Sequence, residues 1–409
     1  MTWRLFLALS AAVIVPLPAL AEPGLPDAAQ VAEALDAHPS VLAARQRVEA
    51  TRAGAEARAI GPHELTFSGS YVRRDTRIDG GFNEFDTQLS RSVRLPGKAR
   101  LDSEIGQHQV EAAENMAEDV RHQAALVLAG HWWDWLEAAA AARVDLQAVG
   151  NLERSLAAVR RRVELGDAAL LDADLAEAAL GQARILAEQS AGEALLARGR
   201  LETHFPALAL PAEAPEVPQP AADGDLLATL RDQVLTNSHE IAAAEAHADG
   251  MSAAAERARL ERTADPSLGV RLFSERGGEE RGAGLVFSIP LGGGHRAALA
   301  SEAAATASAA AADATLARFT VRETADADLA EATFRISAWH RAREALDAQM
   351  SALQRLRRGH DLSEIDLSDL LLGERLTHEA FRTEAVTRAQ AQRAITRIRV
   401  DSHQLWLAD

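Results

Sequence analysis

The sequence predicts a mainly α-helical chain with a small β part, laid out as two copies of one unit: helix, strand, strand, long helix, helix. Three observations carry this. Apolar spacing switches from helical to alternating and back around Pro62 and Pro96, and does so again around Pro266 and Pro290. From the second Pro of each copy to a following Gly the distance is nearly the same, seventy residues from Pro96 to Gly166 and sixty-nine from Pro290 to Gly359. Hydrophobic residues make up 47% of the chain but aromatics only 4%, so much of the apolar content is small and suits long, closely packed helices. Identity between the copies is low; the architecture repeats, not the letters.

Residues 1–21 read as a secretory signal peptide. Arg4 precedes an apolar run from Leu5 to Leu17 that is too short to span a bilayer, and Ala19-Leu20-Ala21 supplies small residues at the cleavage site. A buried N-terminal helix is the alternative. The first repeat is expected over 22–205 and starts with a helix from Asp27 to Ile60, striped by Val31, Leu35, Val41, Leu42 and Val48 and stopped by Gly61-Pro62.

Strands are expected at about 64–73 and 84–94. Leu65, Phe67 and Tyr71 alternate with Thr66, Ser68 and Ser70, and Phe85, Leu89 and Val93 alternate again after a polar loop from Arg74 to Asn83. Strands of roughly nine or ten residues are long enough to cross a bilayer when tilted. Pro96-Gly97 marks the strand-to-helix exit, since Pro fits a strand end or a first helical turn. A helical hairpin then occupies about 97–205, with Val110, Ala113, Ala117, Val120, Ala124 and Val127 at coiled-coil spacing and a turn at Gly166. Such a helix of some seventy residues reaches roughly 100 Å.

A Pro-rich linker, 206–221, follows, with Pro at 206, 211, 215, 218 and 220. The second repeat, 222–409, repeats the plan with strands at about 267–274 and 282–290, an exit at Pro290 and Gly292, and a hairpin at about 293–405 turning at Gly359. Four strands cannot close a membrane barrel, so several copies must share one.

Composition excludes several classes. The formal charge of −17, or −18 once the signal peptide is removed, argues against nucleic-acid binding. The absence of Cys removes disulfides, thiolate metal sites, catalytic thiols and lipid attachment at an N-terminal Cys. No phosphate loop, His-Glu-x-x-His or Gly-x-Ser-x-Gly motif is present, so no enzyme and no cofactor is expected. The thirteen His are scattered, apart from His239 and His247 eight apart, and no metal site is expected. Trp132, Trp133 and Trp135 read as packing anchors between helices, because roughly 50 Å of helix separates them from the strands.

Signal peptide, two matched repeats, Pro-Gly exits and Gly turns resemble the TolC-type outer membrane factor family over about Asp27 to Leu405. Ser288-Ile289-Pro290-Leu291 with Gly292-Gly293-Gly294 resembles the family's strand-to-helix signature. GHDLSEIDLSDLLLGERL, Gly359 to Leu376, resembles its second periplasmic turn with one extra residue before Ser363. GDAALLDADLAEA from Gly166 resembles the first, with Asp172 at the acidic position. Arg94-Leu95-Pro96-Gly97-Lys98 departs from the usual form and is similar to the heavy-metal branch serving cobalt-zinc-cadmium exporters.

The resemblance implies a homotrimer with a twelve-stranded outer-membrane β-barrel continuous with a periplasmic α-helical barrel. It implies a passive exit duct in a Gram-negative outer membrane, contacting outer-membrane lipid, a periplasmic adaptor and an inner-membrane pump of RND type. The cargo it suggests is heavy-metal cations, with drugs and type I secreted proteins as alternatives. A soluble periplasmic coiled-coil adaptor is the competing reading of the chain.

Asp366 and Asp369 lie three apart, which on a helix places both carboxylates on one face. In a threefold assembly they form acidic rings that favour cations and resist tight closure. Asp172 and Glu364 are secondary candidates, and a solvated helix face is the other reading of all four. The resemblance further implies adaptor contact by the turn residues Gly166, Asp167, Ala168 and Ala169, and by Arg358, Gly359, His360, Asp361, Leu362 and Ser363. A Gly at a helix end is equally explained as a C-cap.

Overall fold

A computed structural model describes residues 23–407, so the expected signal peptide lies outside the described residues. Helices α1 (Ala28–Asp36) and α2 (Pro39–Ile60) lead into strands β1 (Leu65–Thr76) and β2 (Gly80–Ser92). Helix α3 (Lys98–Glu164) runs out and α4 (Leu170–His204) returns. The second copy has α5 (Gly224–Asn237), α6 (His239–Leu260), β3 (Ser267–Glu275), β4 (Glu280–Ser288), α7 (Gly294–Asp361) and α8 (Leu367–Asp401). The long arms match: α3 has 67 residues and α7 has 68, each about 100 Å of helix.

The first helix departs from expectation. Instead of one element from Asp27 to Ile60 there are two, separated at Ala37 and His38. Pro39 cannot donate to the helix and pushes His38 into extended backbone, and the His38 ring then caps α2 by accepting the Ser40 N–H. Ser238 makes the matching break between α5 and α6, capping α6 through its hydroxyl. The helices after these breaks, α2 and α6, both have 22 residues.

The strands also run further than the alternation suggested. The loop expected from Arg74 to Asn83 is mostly ladder, with Arg73 opposite Asn83 and Thr76 opposite Gly80. Both faces of this hairpin meet open space, so polar side chains do not end the pairing, and Arg74 and Glu84 form an ion pair across it. The four strands make one antiparallel sheet in the order β1-β2-β3-β4.

The largest core lies midway along α3. Trp132, Trp133, Trp135, Leu128 and Leu136 pack there against Val31 and Leu35 of α1, Leu201 and Phe205 at the end of α4, and Trp406. Two of its indoles also donate hydrogen bonds, Trp132 to the Gly24 carbonyl and Trp133 to the Thr396 hydroxyl. The Pro-rich segment is extended and held down, with Arg143 donating to the Ala214 carbonyl and Leu208 and Val217 buried in the core. Helix α8 stops at Asp401, short of the expected Leu405; the remaining turn folds Leu405, Trp406 and Leu407 into the same core.

Candidate functional site

At the far end of the long helices the two turns are built alike. In the first, the Gly166 N–H bonds the Val163 carbonyl at 3.0 Å and the Asp167 N–H reaches back to Arg162 at 2.8 Å. In the second, Ser363 bonds His360 at 2.9 Å and Glu364 reaches back to Gly359 at 2.9 Å. Each is a Schellman closure around a left-handed residue, Gly166 at φ 80° and Ser363 at φ 60°.

The second turn therefore centres on Ser363, not on Gly359 as expected. Gly359 is the structural counterpart of Arg162, inside the helix and buried. A Cβ there would sit 2.6 Å from Cδ1 of Ile365, so a larger residue would make the Ile365 side chain shift.

The same correspondence pairs Asp172 with Asp369 and Ala169 with Asp366. Asp172 and Asp369 both occupy the third position of a return helix, whereas Asp366 is the residue preceding α8 and has extended backbone. The expectation that Asp366 and Asp369 share a helix face is thus corrected: only Asp369 is on the helix. Asp172 accepts the Ala169 N–H at 3.1 Å, the carboxylate half of a capping box. Asp366, Asp369 and Glu364 are exposed, and among the described residues no side chain pairs with them. Asp167, Arg358, Asp361 and Leu362 are also exposed, while Ala168 and His360 are half-buried.

Behind the turns the hairpins are joined at two levels. Val159 and Ala173 of the first touch Leu353, Leu367 and Leu370 of the second. Further back, the buried Asp145 carboxylate of α3 receives His378 and Arg382 of α8, both at 2.7 Å. A cleft of about 740 Å³ lies among the four helices between residues 144–152 and 368–381.

The strand-to-helix transitions differ from one another. In the first, Pro96 and Gly97 lead straight into Lys98, whose side chain is 1% exposed. Its ammonium donates to the Thr263 carbonyl and Asp265 Oδ1, both at 2.8 Å, and meets Glu261 Oε2 at 3.0 Å. Asp265 also accepts the Leu95 N–H at 3.0 Å and lies 2.9 Å from His63 Nε2. Burial works against this carboxylate's charge, but the bonds from Lys98, Leu95 and His63 outweigh it and hold its pKa below the ordinary value. The second transition, Pro290 to Gly292, is exposed, and the Gly292 backbone passes so close to the Arg262 carbonyl that a Cβ would lie 2.5 Å from it. The sequence marks the Pro and Gly of both exits and includes Lys98 in the first exit motif without giving it a role, and it gives no sign of Asp265 beyond its place before Pro266.

The sheet carries the last feature. Register places Leu65, Phe67 and Tyr71 beside Leu89 and Phe85, then Leu268, Val270 and Leu272, then Leu285 and Phe287, all on one face. This apolar face is open, with Phe67 72%, Leu285 88% and Phe287 73% exposed. The other face carries Thr66, Ser68, Ser70, Gln88 and Ser90, and an Asp86–Arg271 ion pair. Strands β1 and β4 each have one unpaired edge. Among the described residues no helix is long and apolar enough to cross a membrane.

Comparison with known proteins agrees with this architecture. No curated protein matches the chain. A membrane protein from Pseudomonas aeruginosa is similar, with a TM-score of 0.76 at 19% identity over 91% of this chain and 89% of that one. VceC, an outer membrane protein from Vibrio cholerae, gives 0.71 at 15% identity, covering 93% and 95%. The open state of the Neisseria gonorrhoeae MtrE outer membrane channel gives 0.71 at 17%, covering 93% and 89%. At such identities these likenesses bear on the fold. Residues 31–204 match the family model for outer membrane efflux protein. That match spans the first repeat, and the fold shared with these membrane proteins continues through the second.

Proposed function

We propose that three copies of this chain form a passive exit duct in the outer membrane of a Gram-negative bacterium. The duct receives cargo from an inner-membrane pump of RND type through a periplasmic adaptor that meets the exposed turns. One observation carries the reading: a four-stranded sheet with an open apolar face and two unpaired edges. Apolar surface of that extent is stable only when covered, and an unpaired edge is tolerated in lipid only when another strand completes it. Joining β4 of one copy to β1 of the next completes the edges, lipid covers the apolar face, and three copies give twelve strands with the polar face lining the pore. The same surface weighs against a soluble adaptor.

At the other end, the matched positions of Asp172 and Asp369 give six carboxylates at one level in a threefold assembly, with three from Asp366 beside them. Such rings concentrate cations and hold the entrance apart by repulsion. Heavy-metal cations are the cargo this reading favours, with drugs or secreted proteins as alternatives. Its sequence basis, the Pro96-Gly97-Lys98 exit, has a structural role for Lys98, so cargo is best decided by testing a deletion strain against zinc, cobalt, cadmium, copper and common antibiotics. For the duct itself, membrane fractionation is the test. Heat-modifiable oligomers that need detergent are expected in the outer membrane, and a freely soluble monomer in the periplasm sinks the proposal.

A further inference from the structure

Phe273 breaks the pattern of the polar face of the sheet. Register sets Ser70 of β1, Asp86 of β2, Phe273 of β3 and Gly282 of β4 in one row, on the opposite side from Phe67, Leu89, Val270 and Leu285. An aromatic ring therefore stands among serine, aspartate and arginine. It is half-buried, whereas Phe67 and Phe287 on the apolar face are exposed.

What covers the ring is the backbone of the neighbouring strand. A Cβ on Gly282 would collide with Cζ and Cε1 of Phe273 and come within 3.1 Å of Cε2, so the ring lies across the place where a side chain of β4 would stand. Glycine weakens a strand and is expected where another group approaches this closely. The other flank of the ring is occupied. Asp86 stands directly opposite Phe273 on β2, and Arg271 bonds Asp86 while its guanidinium carbon sits 5.6 Å from the ring centroid. At Gly284, the next β4 position on the same face, a Cβ would meet nothing within 4 Å among the described residues. Gly282 and Gly284 thus form a bare strip, and the ring lies on it.

We propose that Phe273 sets the width of the duct near its outer end, and that the bare strip of Gly282 and Gly284 is the seat that keeps the ring out of the pore. This rests on the duct reading, in which the polar face lines the pore. Phe273 lies six residues beyond Ser267, where β3 starts, or about 20 Å along the strand. Twelve strands about 4.8 Å apart and tilted by about 40° enclose a backbone radius of about 12 Å. Three rings raised into that space at one level narrow it; the same rings laid flat leave it open. With the seat filled, Asp86 on one flank and new side chains on the other leave the ring only the direction of the pore. Small hydrated ions pass an exit narrowed in this way and bulky organic cargo does not, so the seat determines the size of cargo released.

The test uses the full chain in planar bilayers, with neutral polyethylene glycols of graded size as the probe of width. Gly282→Val with Gly284→Val fills the seat, and Val suits a strand better than Gly, so the variant is expected to fold. Its conductance should fall about twofold or more, following the open cross-section, and the largest polymer admitted should become smaller. Adding Phe273→Ala should restore both, which assigns the loss to the ring and not to the added valines; Phe273→Ala alone should change little. The seat is read without conduction by meta-fluorophenylalanine at position 273 in detergent-solubilised protein. Its fluorine resonance should shift little between H2O and D2O in the parent, and clearly more once the two valines lift the ring into water. Equal conductance in the parent and the double valine variant, a drop that Phe273→Ala does not restore, or a fluorine shift indifferent to the valines overturns the proposal. If the fluorine responds as expected while the parent itself does not conduct, the seat stands and the role in width falls with the duct reading.

Discussion

Replacing Lys98 with Met removes a cation from a site that has arranged itself around it. All three ammonium hydrogens are directed, to the Thr263 carbonyl, Asp265 and Glu261, and the side chain is 1% exposed. Met keeps most of the stem, so the loss is electrostatic, not a cavity. Asp265, whose side chain is 9% exposed, is then left charged with only the Leu95 N–H and His63 as partners. Removing one member of a buried ion pair costs about 3–5 kcal/mol. The expected result is that Lys98→Met loses about that much in urea unfolding in detergent, followed by far-ultraviolet circular dichroism. Adding Asp265→Asn to Lys98→Met should recover part of the loss, because the amide needs no counter-cation; the coupling in a double-mutant cycle should be about 2 kcal/mol. Asp265 and Glu261 both have pKa values below the ordinary carboxylate value. Their contribution is therefore present above that value and lost as pH falls through the depressed one, so the wild-type advantage should shrink in acid. A Lys98→Met protein within about 1 kcal/mol of the parent, or strictly additive effects, would refute the account of this junction.

Three further outcomes are expected. Burial, and then the neighbouring Asp401, push the Asp328 carboxyl up to about 8; a raised carboxyl contributes stability that is lost as pH climbs from the ordinary value toward 8, by at most about 1.4 kcal/mol per pH unit, so the parent should weaken from pH 5 to 8 and Asp328→Asn should not show that slope. Ser363→Gly relieves a left-handed serine and should stabilise the second turn by about 1 kcal/mol, whereas Gly359→Leu should destabilise it through collision with Ile365, as read by protease sensitivity of the tip. Asp366→Asn together with Asp369→Asn should lower the cation preference of single channels in planar bilayers, and an unchanged reversal potential in a salt gradient would remove these carboxylates from the entrance.

Much of this molecule is legible in one dimension because its parts are periodic and long. Alternation over Leu65 to Tyr71 and a heptad seam over Val110 to Val127 each specify an element without reference to the rest of the chain, and the recurring order of Pro, hairpin, Pro and long helix specifies the repeat. The acidic positions were legible as well, as a spacing beside a Gly. Their relation was not, since the counterpart of Gly166 is a serine held at positive φ by turn hydrogen bonds, and no rule of composition places a serine there.

The sequence alone determined the long helices, the strands and their order, because helix and strand periods are local properties. Only the tertiary structure decided which charges are buried and with whom. Lys98 with Asp265, Asp145 with His378 and Arg162 with His360 join residues 167, 233 and 198 positions apart. Pairings of that kind depend on how long helices lie side by side, a geometry to which every side chain along their length contributes and which no short window of sequence contains.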